Sequence, residues 1–325
     1  MRICVIGTGA IGTLYAARLA LAGHEVTMLS SSAGTAAAIA RDGLRLEEPD
    51  GAHAVPMRAA ADPAALPRAE AALVLTDATR TAAAAGLAAG VLEADGFAVT
   101  LQNGIGNAEI LADALGEARV AAGVTYHSAA GERPGHARHT NDGRTIMGEV
   151  DGRRSPRLDR LAAALGDTGF KVTVSDDVTG AIWSKLVLNC AVNPICAVTG
   201  LRTGEIALSP DADAVQDGIV AEALAVVAAK GIRLSFDDPV ARVKRLTRAV
   251  FNKPSMLQHM EAARPTEIDA LNGALAREGR ALGLAMPVNE TVSRLVRAQS
   301  EKAVRLAREG EPDYAALEAA ARGRG

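Results

Sequence analysis

Lys185, Asn189 and Asn193 recur every four residues in WSKLVLNCAVNPICAVTG, residues 183–200, a stretch that is otherwise apolar. On an α-helix this spacing puts one ammonium and two amides on a single stripe, while Leu186, Leu188, Val192 and Ile195 supply packing surface. An ammonium in such a run needs a reason: a structural carboxylate partner, or employment as the proton donor of a cleft. Pro194 should kink the helix just after Asn193.

A second group of residues has the chemistry of nucleotide binding. Gly7-Thr8-Gly9-Ala10-Ile11-Gly12 closes the β-branched run at 3–6 and opens the helical pattern Leu14, Ala17, Arg18, Leu21. In that context Gly7 permits a tight turn, Gly9 lets backbone N–H groups approach a pyrophosphate, and Gly12 allows close helix–strand packing at a positive helix N-terminus. The tip of the next strand reads Ser30-Ser31-Ser32. It offers neither the acid that accepts from the ribose diol of NAD nor the arginine that meets the 2′-phosphate of NADP, only three hydroxyl donors, so the choice of cofactor stays open.

Further along, Gln102-Asn103-Gly104-Ile105-Gly106 follows an apolar run at 97–101. Asn-Gly alone signals a hairpin turn, but here a helix follows from Ala108, and a loop at the carboxyl end of a parallel strand borders the ligand crevice. His127, His136 and His139 invite a metal reading. No cysteine or second carboxylate cluster joins them and none has helical i, i+4 spacing, so we expect a solvated loop and no metal site. Glu267, in Arg264-Pro265-Thr266-Glu267-Ile268-Asp269, is expected in the first turn of a helix, where the dipole keeps it ionised whether it serves a ligand or only the helix.

The elements that must carry these groups fall into two halves. Strands at 3–6, 25–29, 71–76, 97–101, 120–124 and 171–174 alternate with helices, the pattern of an α/β Rossmann-type dinucleotide-binding domain over 1–176. Residues 44–57 read as a hairpin around Pro49-Asp50-Gly51, a decoration on that sheet. Asp176-Asp177 marks the boundary. Beyond it nothing alternates with period two, and an all-helical domain over 177–325 is expected, with helices near 178–199, 212–229, 239–251, 266–282, 288–309 and 314–321.

Composition narrows the function classes. A 325-residue chain with 49% apolar residues can bury two cores. A net charge of −3, 2% aromatics and no basic block give no nucleic-acid footprint. Three cysteines, Cys4, Cys190 and Cys196, sit in apolar contexts without a C-x-x-C pair, which reads as a reduced, cytoplasmic protein. No run of about 18 residues lacks charged or amide side chains, so no membrane span is expected.

In combination, Gly7 to Gly12, Gln102-Asn103-Gly104, Trp183-Ser184-Lys185 with Asn189, Asn193-Pro194 and Gly204-Glu205, and Ser255 to Gln258 with Pro265 to Asp269 and Asn272-Gly273 make the chain resemble the ketopantoate reductases (2-dehydropantoate 2-reductases) from Arg2 to about Asn289. The resemblance implies that Lys185 is the proton donor. It implies that Asn103, Asn189, Asn193, Thr203, Asn252 and Ser255 line the substrate pocket, and that Asn103, Ala129 and Glu267 sit at the nicotinamide end. The family's usual basic residues at the adenosine end are replaced here by Ser31 and Asp77. The resemblance implies NADP(H); these two replacements remove positive charge and admit NAD(H) beside it.

The expected activity is therefore reduction of a 2-keto acid, ketopantoate leading, with another branched or aromatic 2-keto acid as the alternative. A non-catalytic NAD(P) sensor is the reading from a different class, and a proton donor has no use in it. A homodimer is compatible with the apolar helical half.

Overall fold

The computed structural model describes residues 1–322. They divide into two compact units, the first Met1–Lys185 and the second from Leu186 onward. The division falls inside one unbroken helix.

The first unit is built on an eight-stranded sheet. Its strands are β1 (Arg2–Ile6), β2 (Glu25–Leu29), β5 (Arg58–Ala60), β6 (Ala69–Val74), β7 (Leu92–Thr100), β8 (Val120–Thr125), β11 (Arg144–Glu149) and β12 (Lys171–Val174), in the order β12-β11-β8-β7-β6-β1-β2-β5. All neighbours pair parallel except β11 with β8. The helices of this unit are α1 (Ala10–Leu21), α2 (Ala33–Asp42), α3 (Thr81–Val91), α4 (Asn107–Leu115) and α5 (Pro156–Gly166). Period-two alternation explains the two layers. Ile3 and Val5 of β1 pack with Leu14 of α1 and Leu158 and Leu161 of α5, whereas Cys4 and Ile6 pack with Ala84, Ala85 and Ala88 of α3 and Leu111 of α4.

Residues 44–57 do form the expected hairpin, β3 (Leu44–Glu48) and β4 (Gly51–Val55), but it is no decoration of the main sheet. With β9 (Ser128–Ala130) and β10 (His136–Asn141) it makes a separate four-stranded sheet, β4-β3-β10-β9. The histidine segment is accordingly not a solvated loop. His127, His136 and the ring of His139 are buried, and His127 packs on Phe170, ring centroids 4.1 Å apart. Burial first, then the neighbouring His139, pulls the His127 pKa down to about 4. The sequence misled because His136 and His139 share their strand with exposed polar residues such as Arg138 and Asn141, although that strand is paired on both sides.

The helical half contains α6 (Val178–Thr199), α7 (Pro210–Ala229), α8 (Pro239–Ala249), α9 (Ser255–Glu261), α10 (Asn272–Ala281), α11 (Pro287–Glu309) and α12 (Tyr314–Arg322). The single helix expected over 266–282 is broken. Ile268–Ala270 is a 3-10 turn, Leu271 leaves helical geometry at φ −104°, ψ −105°, and α10 starts only at Asn272. Helix α9 was not anticipated, because Lys253-Pro254 reads as a break and the seven residues after it are too few to show a period. By length and composition α6 is the one helix among the described residues that could cross a membrane, and 78% of that window is buried inside the fold.

Candidate functional site

At the glycine turn each residue has its own geometry. Gly7 adopts φ +126°, and a Cβ there would lie 2.7 Å from the Leu75 carbonyl group, so the β1–α1 crossing brings two backbones together. A Cβ on Gly12 would come 2.0 Å from the Gly7 carbonyl oxygen, which only glycine avoids. Gly9 is different. It is the N-cap of α1, exposed, with no side-chain cap on the helix, and a Cβ there would meet nothing within 4 Å. An open approach to uncapped N–H groups at a helix N-terminus is what a pyrophosphate requires. Thr8, Ala10 and Ile11 are half-buried around it. The donors fit a dinucleotide.

The three serines do not act alike, contrary to the expectation of three donors. Ser30 is buried, with its hydroxyl 3.4 Å from that of Thr8 and accepting from Ser32 N–H. Ser32 caps α2 by accepting from Thr35 N–H. Only Ser31 remains outward, and its Oγ accepts from Arg80 Nη1 at 3.3 Å. Arg80 ends the 3-10 turn Ala78–Arg80 that starts after Asp77, at the carboxyl end of β6, so a guanidinium reaches the β2 tip from the far side of β1.

The Gln102-Asn103-Gly104 segment lies at the carboxyl end of β7. Gln102, given no role by the sequence, is buried and donates to Thr76 O, Thr76 Oγ1 and Thr81 Oγ1 at 3.0–3.1 Å while accepting from Thr100 Oγ1. It ties β6, α3 and β7 together and fixes where the half-buried Asn103 begins. Asn103 O accepts from Asn107 Nδ2 at 2.9 Å, and Gly104 takes φ +86° in the turn between them.

Lys185 Nζ donates to the Thr125 carbonyl oxygen at 2.6 Å and lies 5.6 Å from the centroid of the Tyr126 ring. Thr125 is itself held in place: its hydroxyl accepts from Tyr15 OH at 2.8 Å and from His127 N–H at 3.1 Å. The ammonium thus stands at the carboxyl end of β8, on the strand edge where Rossmann-type sheets present ligands. Ala129 lies close by in β9, where it pairs with His139.

In the second unit the amides fall into two tied pairs. Asn193 is buried. Its Oδ1 accepts from Met256 N–H at 3.3 Å and lies 3.5 Å from Ser255 Oγ, while its Nδ2 donates to Asn189 O at 3.2 Å. Asn193 therefore places the exposed Ser255 at the N-terminus of α9, beside the half-buried Asn189. Thr203 is buried and bonds twice to Asn252, Oγ1 to Oδ1 at 2.9 Å and N–H to backbone O at 3.1 Å. Glu267 is buried and is not in the first turn of an α-helix; it caps the 3-10 turn Ile268–Ala270, so the dipole of α10 does not act on it as expected.

Asn272 explains how α6 tolerates Pro194. A proline at 194 has no N–H for the Cys190 carbonyl four residues back. Asn272 Nδ2 supplies the missing donor at 3.1 Å, and Gln216 Nε2 donates to the next carbonyl, Ala191 O, at 3.1 Å. Both side chains are fully buried. The sequence showed Asn272-Gly273 only as part of a resemblance, and Gln216 not at all.

A glycine turn open to a pyrophosphate, on a sheet that also holds a lysine ammonium at the carboxyl end of a central strand, is the equipment of a nicotinamide-dependent oxidoreductase. The comparisons agree. The ketopantoate reductase PanE/ApbA family model matches residues 3–152 and its C-terminal companion matches 177–300, so the chain belongs to the ketopantoate reductase family. It is similar to a 2-dehydropantoate 2-reductase of Halobacterium salinarum, 33% identical over 300 residues, 91% of this chain and 98% of that one. The crystal structure of a PanE/ApbA family ketopantoate reductase from Ralstonia eutropha JMP134 superposes with a TM-score of 0.86 at 34% identity, over 93% of this chain and 99% of that one. A D-mandelate dehydrogenase solved with NADH and anilino(oxo)acetate superposes with a TM-score of 0.87, 93% and 99% covered, but at 23% identity it is a likeness of fold alone.

Proposed function

We propose that the chain reduces ketopantoate (2-dehydropantoate) to pantoate with a reduced nicotinamide cofactor, with Lys185 as the general acid. The observation that carries the role of Lys185 is its ammonium, aimed by the Thr125 carbonyl at 2.6 Å from a threonine that Tyr15 locks in place. When bound, the nicotinamide supplies the hydride. As hydride reaches the ketone carbon, negative charge develops on oxygen; a positioned ammonium stabilises it and delivers the proton. Asn189, Ser255, Thr203 and Asn252 are assigned to the hydroxyl and carboxylate groups of the substrate, with Asn193 holding Ser255 in register. Asn103, Ala129 and Glu267 are assigned to the nicotinamide end.

On the cofactor, Arg80 beside Ser31 supports acceptance of the 2′-phosphate of NADPH, and Asp77 supports acceptance of the free ribose hydroxyl of NADH. We therefore assign use of both. Cytoplasmic residence is supported by three free, buried cysteines. A homodimer is supported by large apolar side chains left exposed on the helical half, Leu208 at 74% and Phe251 at 50%.

A panel of 2-keto acids assayed by loss of reduced-nicotinamide absorbance tests the reading. Ketopantoate should give the highest kcat/KM. A phenyl-substituted 2-keto acid in first place would move the assignment to the aromatic alternative, and no turnover with any member would leave a binding protein.

A further inference from the structure

The buried histidines of the small sheet form a cluster that the reductase reading does not use. His127 lies between β8 and β9, His139 on β10, and Asp142 in the turn that leads to β11, so one short stretch of chain brings all three together. The His127 Nδ1 and His139 Nε2 atoms are 3.3 Å apart, and Asp142 Oδ1 lies 3.7 Å from His127 Nδ1. One ligand atom from each residue falls within 4.8 Å of the others.

Hydrogen bonding on the far side of each atom decides what these atoms carry. His127 Nδ1 accepts from Gly143 N–H at 3.2 Å, so it bears a lone pair and the ring proton sits on Nε2, which is buried and has no hydrogen-bond partner. His139 Nδ1 faces Glu48 Oε1 at 3.3 Å, and the Glu48 side chain is only 3% exposed. A carboxylate can only accept, so Nδ1 donates to Glu48 and Nε2 is the His139 atom that faces His127 Nδ1. Two imidazole nitrogens and a carboxylate oxygen are thus gathered at one place, the first held by Gly143 N–H and the second turned inward by Glu48.

We propose that this cluster is a divalent-metal site for zinc or a similar borderline ion, with His127 Nδ1, His139 Nε2 and Asp142 Oδ1 as ligands. Bonds of about 2.0–2.2 Å in a tetrahedron set ligand atoms about 3.3–3.6 Å apart; the His127–His139 separation of 3.3 Å falls in that range and the 3.7 Å to Asp142 closes with a small turn of its exposed side chain. Glu48 is the outer carboxylate that orients a ligating histidine and raises its basicity. A pocket of about 380 Å³, lined in part by His139, Asp142 and Phe170, opens beside the cluster. Two cations border the site, and each is tied to a carboxylate: Arg18 to Glu48, and Lys171 Nζ 4.0 Å from Asp142 Oδ2. The metal would displace the weak Gly143 contact and pin the segment that leads back to Thr125, the acceptor of Lys185.

The full-length chain, stripped with a chelator and dialysed, is titrated with Zn²⁺ and with Co²⁺. One equivalent should bind, raise the melting temperature, and give the visible absorption of four-coordinate cobalt with nitrogen and oxygen ligands. His139→Gln and Asp142→Asn should each abolish that absorption while NADPH binding persists. Absence of saturable binding to wild type would overturn the proposal, as would one-equivalent binding that survives both substitutions. Should a variant misfold, nitrogen-15 spectra of the stripped wild type decide: a His139 Nε2 resonance that shifts on adding Zn²⁺ supports the site, and one indifferent to Zn²⁺ refutes it.

Discussion

Arg80 carries the cofactor question at the scale of single residues. A charge-assisted bond from Arg80 to the 2′-phosphate is opposed by Asp77 at the start of the same 3-10 turn, so the pocket should discriminate weakly. We predict kcat/KM for NADH within about tenfold of that for NADPH, a gap of about 1.4 kcal/mol. Arg80→Ala should lower kcat/KM for NADPH and leave NADH unchanged, whereas Ser31→Arg with Asp77→Lys should favour NADPH, most at low salt. Equal losses with both cofactors in Arg80→Ala would take Arg80 away from the phosphate. The sequence made Ser31 and Asp77 visible because they stand where the family has basic residues. It could not show that Ser30 and Ser32 spend their hydroxyls on Thr8 and on the cap of α2, which depends on where the chain turns. Cysteines give a second residue-scale test. Burial pushes the thiols of Cys4 and Cys196 up to about 12, Cys196 also through Glu205, and raises Cys190 too. None should react with a disulfide reagent at pH 8 in the native protein, and all three should react once it is denatured. Rapid labelling of the folded chain would contradict the buried assignment.

Helix α6 is the element on which the helical half depends, and its defect is local. If Asn272 serves the carbonyl that Pro194 leaves without a donor, Asn272→Ala should cost about 1–3 kcal/mol in unfolding free energy, because a buried acceptor loses its partner. Asn272→Asp should not rescue it, having no N–H to give. Pro194→Ala restores the backbone donor, so the two substitutions together should cost less than the sum of each alone. Strict additivity in a denaturation cycle would dissociate the two positions. At this scale the sequence was legible where periods are long. Helix α6 and six of the eight strands of the main sheet stand close to where the pattern put them, while the three-residue β5 and the antiparallel-paired β11 went unseen. The second sheet was not legible, because β9 has three residues and β10 pairs with β3 across a long stretch of intervening chain. Glu267 was misjudged for a related reason: Leu271 breaks the helical register by its backbone angles alone, with an ordinary residue type.

For the whole molecule, fold class and activity class were both readable, since the glycine turn closes a strand and opens a helix and Lys185 shares a stripe with two amides in an otherwise apolar run. The acceptor of Lys185 was not, because Thr125 lies sixty residues away in sequence. That pairing is also where the account is most exposed. The most direct measurement is kcat for ketopantoate-dependent NADPH oxidation by Lys185→Ala, taken beside its affinity for NADPH and its circular dichroism. The account predicts kcat lower by about 10²- to 10⁴-fold, with fold and cofactor affinity retained. Turnover near the wild-type rate in a folded, cofactor-binding Lys185→Ala protein would contradict it.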